Sequence, residues 1–524
     1  MRYNVLIGGK AGQGIDTLAT LLSAALAKAG FYVFNAHEYE SLIRGGHSYN
    51  NVCFSDKPSF SYDTKIDFLI ALDELTYELH QKELTEKALI ITSDSKLKSK
   101  FTDDRFIFVD SATLGRSSNL ALLGAFTKIL GLDKDIVLQG VRHKFKEDKA
   151  TLEVTEQFYG REYTFNLHLT KSEEKGEMFT GSEALAQGAL DAGVQRYFGY
   201  PMTPATALMT LLAKKQSENL FVFLAENEIA AINIAIGCSF AGKISMVGTS
   251  GGGFDLMTEA LSMQGMMELP LVIHLAQRAG PSTGVPTGTS QADLNVALYG
   301  GHGEFPRVIL APGDAEETYE KTIEAFYLAE KFGVSSLILT DKHLLESAYT
   351  TQLSPLNIII PPRENFAGNG LFKRNSYEHD TQWNTSEDPV VIKSSSDERK
   401  NKLLRIKEEA SKFKGYTLFG KGDTLIIGFG STKGAMLDAL PHLEGYTYLH
   451  LVCIEPFLDE VKKMISEAKE ILVIENNSVG QLADLISGKC AREITPENRI
   501  LKFDARPFTP EFIIAELHHR KRGD

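Results

Sequence analysis

The chain has 524 residues, 43% hydrophobic and 23% charged, which is typical of a soluble globular protein of roughly three domains. Its formal net charge of -13 argues against a nucleic-acid binder, which needs a basic surface. Its apolar runs are too short for a membrane span or a signal peptide, so we expect a cytoplasmic protein without a membrane partner.

A strand over Met1–Gly8, the glycine-rich turn GGKAGQG and an amphipathic helix over Asp16–Ala29 open the chain. Such glycines let the backbone approach a phosphate or another chain closely. The turn is neither a Walker A loop nor a clean G-x-G-x-x-G, so both interpretations stay open. The alternation of elements predicts an α/β domain over residues 1–170. Further strands are predicted at Tyr32–Asn35, Asn50–Phe54, Asp67–Leu72, Ala88–Thr92 and Phe106–Val109, and helices at Asn119–Leu130, Lys134–Phe145 and Ala150–Tyr163.

Between two of these strands, the polar segment Ser41–Ser48 has the character of a binding loop. His47 within it is a candidate catalytic residue, although a loop histidine held by hydrogen bonds is the simpler interpretation. The charged run KSEEKGE follows in Asn166–Thr180 and predicts a solvated linker at the domain boundary.

The second predicted domain, residues 178–345, contains GYPMTPAT and then FVFLAENEIAAINIA. Thr203-Pro204 predicts a helix start, because threonine can cap and proline fits the first helical position. Phe221–Leu224 predicts a buried strand, and Glu228 then opens a helix. Open α/β sheets bind ligands at the carboxyl ends of their strands, and a carboxyl group there can share a proton with a heterocyclic nitrogen.

Arg278 follows the predicted strand Leu271–Leu275 and begins the block QRAGPSTGVPTGTSQADL. A guanidinium group at this place can hold a carboxylate through two hydrogen bonds. An ion pair with Asp293 would be the structural alternative.

The apolar periodicity of strands and helices is lost over residues 346–416, which predicts an irregular connection with a short helix near Lys400–Phe413. Glu378-His379-Asp380 within it has metal-ligand residue types, but adjacent residues rarely converge on one ion. Residues 417–524 return to β-α alternation and include ENNSVGQL.

Three blocks in this order resemble the 2-oxoacid:ferredoxin oxidoreductases. The family's YPITPS motif matches Tyr200–Ala205, its E-x-E-x-A-A-I motif matches Glu226–Ile232, and its QRGGPSTG block begins at Gln277. The opening GGKAGQG and the RGG loop resemble the gamma part of the same enzymes, and ENNSVGQL matches the family's ENNxxGQL. The resemblance thus implies a fused gamma–alpha chain of three α/β domains, with a pyrimidine-binding-type domain and a transketolase C-terminal-like domain.

The resemblance also implies a role for each residue of the site. Glu228 would be the catalytic residue that bonds the aminopyrimidine of thiamine diphosphate, with Tyr200 and Pro201 beside the cofactor. Thr203 and Arg278 would hold the carboxylate of a 2-oxoacid. The QRAGPSTG block is most similar to that of the 2-oxoglutarate and broad-range members of the family. Coenzyme A would take the acyl group, and either the first or the last domain would help to seat it.

The sequence lacks the G-D-G mark of diphosphate-binding subunits, and Cys53, Cys238, Cys453 and Cys490 form no C-x-x-C. Mg²⁺ and an iron–sulfur cluster are therefore expected in a partner beta subunit that passes electrons to ferredoxin. Two other classes remain open: an indolepyruvate oxidoreductase or nonoxidative thiamine-dependent decarboxylase, and a non-catalytic nucleotide-binding scaffold.

Overall fold

The computed structural model describes residues 1–40, 46–101, 104–165, 167, 169, 176–363 and 372–522. No helix of these ranges is long and apolar enough to cross a membrane. The elements up to Thr180 are β1 (Arg2–Lys10), α1 (Ile15–Lys28), β2 (Tyr32–Tyr39), β3 (His47–Ser55), β4 (Ile66–Ala71), α2 (Glu74–His80), β5 (Leu84–Thr92), α3 (Ser95–Lys98), β6 (Phe106–Phe108), α4 (Ser118–Ile129), α5 (Lys134–Phe145), α6 (Lys149–Tyr159) and β7 (Glu177–Thr180). Those that follow are α7 (Gly181–Asp191), β8 (Arg196–Gly199), α8 (Thr206–Ala213), β9 (Phe221–Leu224), α9 (Glu228–Phe240), β10 (Ser245–Ser250), α10 (Gly251–Met267), β11 (Leu271–Gln277), α11 (Leu294–Tyr299), β12 (Arg307–Leu310), α12 (Ala315–Phe332), β13 (Ser335–Asp341), α13 (Lys342–Glu346), β14 (Ala348–Thr351), α14 (Pro389–Ala410), β15 (Tyr416–Gly420), β16 (Thr424–Phe429), α15 (Thr432–Ala439), β17 (Tyr446–Leu451), β18 (Cys453–Glu455), α16 (Asp459–Glu467), β19 (Glu470–Glu475), α17 (Gln481–Cys490), β20 (Arg499–Leu501) and α18 (Pro510–Arg522).

The chain folds into two compact units, and the first gathers the described residues of 1–180, 346–352 and 509–522. Its eight-stranded sheet has the order β6-β5-β4-β1-β3-β2-β14-β7. β6, β5, β4 and β1 are parallel to one another, whereas β1 and β3, β3 and β2, β2 and β14, and β14 and β7 pair antiparallel. The C-terminal helix α18 therefore belongs to the same unit as the N-terminal strand.

Alternating apolar residues explain how this sheet is covered. Val5 and Ile7 of β1 point to one face, and Leu22 and Leu26 of α1 are buried against the same cluster with Phe126 of α4. Burying side chains of this size contributes about 2 kcal/mol each, which makes α1 and α4 fixed parts of the layer.

The second unit comprises the described residues of 181–345 and 353–508 and holds two sheets. The seven-stranded sheet has the order β18-β12-β13-β11-β10-β8-β9, and it is parallel except at β18, which pairs antiparallel with β12. The five-stranded sheet has the order β15-β17-β16-β19-β20 and is parallel except at β15. β18 lies after β17 in the chain, so the last segment supplies an edge strand to the larger sheet.

A buried charge network joins the two sheets of the second unit. Lys433 of α15 forms ion pairs with Asp314 and, at 2.6 Å, with Glu317 of α12. The other Glu317 oxygen contacts His450 Nε2 of β17 at 2.9 Å and accepts a hydrogen bond from the backbone N–H of Gly313. Burial acts to raise the pKa of Glu317, but His450 and Lys433 outweigh it and hold that pKa well below its usual value.

The predicted α/β class is confirmed. The strands expected in the first unit all occur, and most have longer bounds, but β6 ends one residue earlier than expected and β4 is shifted by one residue. Three local expectations differ from the structure. The helix after Thr203 begins only at Thr206, with Ala205 at its N-cap, so Thr203 does not cap it. β9 is an edge strand with mostly exposed side chains, and the expected short helix near Lys400 is the 22-residue helix α14.

The division into domains at residues 170, 178, 345, 346, 416 and 417 stays a prediction. Residues 41–45, which include Arg44 and Gly45 of the RGG loop, lie outside the described residues. Most of the charged linker predicted over residues 166–180 lies outside them as well.

Candidate active site

The predicted site residues follow the carboxyl ends of β11, β8 and β9. β10 lies between β11 and β8 in the same parallel part of the sheet. After β8 the chain leads to β9 on one side, and after β10 it leads to β11 on the other. This reversal makes a crevice beyond the ends of β8 and β10, where open α/β sheets bind ligands. The two strands lie close there, with Gly199 opposite Gly248.

Glu228 is the first residue of α9, and its side chain is only 3% exposed. The side chain of Asn227 caps the helix by accepting from the N–H of Ala230 at 2.8 Å. The Oε1 atom of Glu228 is buried and has no hydrogen-bond partner among the described residues. A buried carboxylate oxygen without a donor is costly to the fold, so this atom is available to a ligand.

The first turn of α10 lies against Glu228 and is built from three glycines. A Cβ atom on Gly253 would approach Glu228 Oε1 to 2.6 Å, so only glycine fits there beside the carboxyl group. The N-cap residue, Ser250, makes no capping hydrogen bond with its side chain. Its hydroxyl instead donates to the sulfur of Met202 at 2.7 Å, which ties this turn to the loop after β8. The helix thus begins with backbone N–H groups that no side chain of its N-cap covers.

Arg278 and Thr203 are brought together by the fold. Arg278 Nη1 donates to the backbone oxygen of Thr203 at 2.9 Å. Burial lowers the pKa of Arg278, and the nearby charge of Asp293 opposes that shift. The two charged groups do not form an ion pair in the part of the chain that the structure describes, so the guanidinium group keeps donors for a ligand.

For Asp293, the sequence suggested only an ion pair with Arg278. Its carboxyl group lies beside the start of α10, where a Cβ atom on Gly251 would meet it at 2.5 Å. Burial raises its pKa to about 6, with a further contribution from Asp255 and an opposing one from Arg278. A buried acid with a raised pKa inside a crevice is a signal of function that only the structure could reveal.

Tyr200 and Pro201 lie at the solvent side of the same loop, and Tyr200 is 40% exposed. Glu228 and Arg278 do not contact each other directly within the described residues, and the first turn of α10, flanked by Asp293, links them. The fold therefore groups all five predicted residues around one crevice. Their roles stay a prediction.

Two family models match the chain. One is described as "Pyruvate flavodoxin/ferredoxin oxidoreductase, thiamine diP-bdg" and matches residues 187–412. The other is described as "Pyruvate ferredoxin/flavodoxin oxidoreductase" and matches residues 4–157.

A 2-oxoacid:ferredoxin oxidoreductase subunit alpha from Sulfolobus sp is 30% identical, over 97% of this chain and 95% of that protein. The chain belongs to the 2-oxoacid:ferredoxin oxidoreductase family. The 2-oxoglutarate synthase subunit KorA of Archaeoglobus fulgidus is 32% identical over 60% of this chain and 91% of that subunit. The family's solved 2-oxoglutarate:ferredoxin oxidoreductase from Magnetococcus marinus superposes with a TM-score of 0.86, covering 99% of both chains at 24% identity, which supports the fold.

Family membership confirms the prediction of an oxidoreductase alpha subunit that carries a thiamine-diphosphate-binding domain. The prediction was possible because YPMTPA, ENEIAAI and QRAGPSTG each sit at the end of a strand of one sheet. Asp293 and the residues of the last segment that hold its loop were not found, since their function depends on contacts that are distant in sequence.

The glycine-rich opening forms the turn between β1 and α1 of the first unit. Gly12 and Gly14 have positive φ angles of 96° and 79°, which favour glycine. A cavity of about 340 Å³ lies at this turn and is lined by these glycines, Thr17, His37 and His47, among others. His47 is buried and contacts His80 at 2.8 Å between their Nε2 atoms, which fits the hydrogen-bonded interpretation. The role of the turn stays a prediction.

Glu378-His379-Asp380 forms a turn. Glu378 pairs with both terminal nitrogens of Arg399, and Asp380 accepts from the N–H groups of Gln382 and Asn384. Their oxygens are thus engaged within the turn and with α14. Across the described ranges, no group of three His, Cys, Asp or Glu residues could hold a metal ion.

Proposed function

We propose that this chain is the gamma–alpha subunit of an enzyme that converts a 2-oxoacid and coenzyme A into acyl-coenzyme A and CO₂, with the electrons passed to ferredoxin. In this proposal the chain supplies the aminopyrimidine side of a thiamine diphosphate site, and a beta subunit supplies the diphosphate side. The observation that carries it is the buried Oε1 atom of Glu228, which has no partner within the described chain and lies beside Gly253 of the first turn of α10.

The residues at the crevice fit the aminopyrimidine ring. Glu228 offers a buried acceptor or a shared proton to a ring nitrogen, and Gly253 leaves space beside it because it has no Cβ atom. When bound, thiamine diphosphate supplies the carbon nucleophile that attacks the oxo carbon of the substrate. Glu228 holds the proton at the pyrimidine nitrogen, which is general acid–base work. Tyr200 and Pro201 line the outer side of the same site.

The substrate carboxylate is held by Arg278 and Thr203 in this proposal. Arg278 is already fixed by its bond to the Thr203 carbonyl oxygen, which leaves other guanidinium N–H donors for an anion. The open first turn of α10 adds a favourable potential for negative charge. Holding the carboxylate fixes the bound substrate in ground state and transition state alike, so this contact acts mainly on KM.

The beta subunit is expected on the apolar surface around the edge strand β9. Five large side chains there are more than a third exposed, and they continue directly from the Glu228 helix: Phe221, Phe223, Leu224, Ile229 and Ile234. Contiguous exposed apolar residues mark protein interfaces. The occupant is the beta subunit, because a cofactor half-site at this crevice requires the other half beside it. Mg²⁺ and the iron–sulfur cluster belong to that partner in the proposal.

The substrate class leans toward 2-oxoglutarate and broad-range 2-oxoacids, since relatives of both descriptions match. Coenzyme A is the acyl acceptor. A cytoplasmic location fits the free thiols of Cys238, Cys453 and Cys490, because reducing compartments keep thiols unpaired.

The test is Glu228→Gln in the co-expressed alpha–beta complex, assayed by viologen reduction with pyruvate, 2-oxoglutarate and branched 2-oxoacids. Loss of the shared proton should lower kcat by at least about 100-fold, a usual size for general acid–base residues. The matched control is Glu226→Gln, two residues earlier and exposed, which should keep the activity of the parent.

Unchanged activity of Glu228→Gln would refute its role and favour the scaffold alternative. Decarboxylation without dye reduction by the parent complex would favour a nonoxidative decarboxylase. A response restricted to indolepyruvate would favour that oxidoreductase.

A further inference from the structure

The loop that carries Arg278 and Asp293 is bonded to a segment of the five-stranded sheet almost 200 residues later. Gln291 lies in this loop and is fully buried. Its backbone N–H donates to the Asn476 oxygen at 2.7 Å, and its Oε1 accepts from the Asn476 N–H at 2.9 Å. Its amide nitrogen donates to the Phe429 oxygen at 2.8 Å. Gln291 is thus bound through its backbone and its side chain to residues that end or follow two strands of the five-stranded sheet.

Asn477 extends this connection. Its side-chain amide donates to the Gln291 carbonyl oxygen at 3.1 Å and to Glu475 Oε2 at 2.6 Å. Glu475 is fully buried and also accepts from the N–H groups of Leu482 and Ala483 at 2.8 and 3.1 Å. The carboxyl group therefore fixes both the Asn477 amide and the first turn of α17.

Gln481 holds the residues on either side of Asp293. Its Nε2 donates to the Ala292 oxygen at 2.7 Å, and its Oε1 accepts from the Asn295 N–H at 2.8 Å. The N–H of Asp293 itself donates to Gln277 Oε1 at 3.0 Å, immediately before Arg278. Both side-chain hydrogen bonds that Gln481 makes with described residues go to this region, so its amide group fixes the loop beside the site.

We propose that residues 475–481, the ENNSVGQ segment, act as a brace that fixes the loop through Asp293 and so positions Arg278 against the 2-oxoacid carboxylate. Asn477 and Gln481 are positioning residues in this inference, which rests on the proposed function. The brace acts at a distance, because a loop shift of about 1 Å is enough to misplace a reacting group. Buried, fully bonded amides suit this task, since losing one partner leaves the other unsatisfied.

The test is Gln481→Met in the alpha–beta complex loaded with thiamine diphosphate and Mg²⁺. Methionine keeps the length of the side chain and removes both hydrogen bonds. The KM for pyruvate and 2-oxoglutarate should rise about tenfold with kcat within about twofold, because the lost contact holds ground state and transition state alike. The KM for coenzyme A should not change.

The matched control is Asn498→Ala, which removes amide bonds to Ile471 and Thr495 within the same sheet and does not touch the loop. A second readout needs no turnover: amide hydrogen exchange of residues 279–292 should accelerate in Gln481→Met and Asn477→Ala but not in the control. A purely structural segment would lower Tm in all three variants without this selective change.

Equal KM values and equal exchange in Gln481→Met and the parent would overturn the inference. Failure of both brace variants to fold, with a folded control, would also overturn it, because the segment would then be a folding element. A parent complex without 2-oxoacid-dependent activity would instead refute the proposed function, which separates the two failures.

Discussion

The carboxyl group of Asp293 sits in an environment that disfavours its charge, and its pKa is raised to about 6. The uncharged form therefore stabilises the fold fully below the ordinary pKa near 4, and this contribution is lost as the pH rises through about 6. At pH 7.5 the buried charge costs about 3 kcal/mol, at about 1.4 kcal/mol for each unit of pKa.

Asp293→Asn should consequently raise Tm by a few degrees at pH 7.5, because asparagine carries no charge to bury. The gain should shrink between pH 6 and pH 4, where the parent becomes protonated. Thermal unfolding across this pH range measures it, and Asp135→Asn, an exposed carboxyl group on α5, should show no such gain. A variant less stable than the parent at every pH would contradict the environment described for Asp293.

At the same scale, the sequence predicted Glu228, Thr203 and Arg278 because each follows an apolar strand within a motif. The sequence also predicted that Thr203 caps the next helix. In the structure α8 begins three residues later, and no side chain caps it. Local capping rules could not foresee that the intervening residues form the loop over the crevice.

Among the elements, β9 differs most from its expectation. FVFL is apolar enough for a buried strand, yet Leu224 is 57% exposed because β9 is the last strand of its sheet. A sequence cannot distinguish a strand buried in its own chain from one that a partner covers, since both need apolar residues. The 22-residue α14 was underestimated for the opposite reason: its polar exposed surface has no apolar stripe, and only the Asp388 cap and Pro389 in its first turn mark its start.

Leu224→Asp tests whether a partner covers this edge. The variant chain alone should keep the Tm of the parent, because the side chain is already exposed, and an aspartate in an apolar contact should abolish recovery of the beta subunit. Copurification and size-exclusion chromatography of the co-expressed subunits measure this. The control is Leu79→Asp on α2, whose side chain is 51% exposed in the first unit. Full recovery of the beta subunit with Leu224→Asp would place the interface elsewhere.

For the whole molecule, the sequence predicted three α/β domains, and three sheets are present. The positions of α18 and β18, which join parts of the fold far from them in sequence, were not predictable. α18 packs in the first unit and β18 joins the larger sheet of the second, because contacts across hundreds of residues leave no local pattern.

Lys433 carries a prediction at this scale, since it connects Asp314 and Glu317 to the five-stranded sheet. Lys433→Met should destabilise the second unit by about 3 kcal/mol, because removing one partner leaves buried carboxylates uncompensated. Differential scanning calorimetry of the chain should show a lower Tm for one transition. Lys463→Met on α16, where Lys463 is an exposed surface lysine, should leave both transitions in place. Identical thermograms for Lys433→Met and the parent would contradict the role of the network.

The antiparallel pairing of β18 with β12 also bears on how the polypeptide can be shortened. A fragment that stops before Cys453 would leave the N–H and C=O groups of Ile309 and Leu310 without the neighbours that now occupy them. Unprotected margins of this kind recruit other polypeptides into aggregates. Crystallisation fragments of the thiamine-type portion should therefore retain β18 and continue through β20, because β16 pairs with β19, although the motifs that define that portion end long before them.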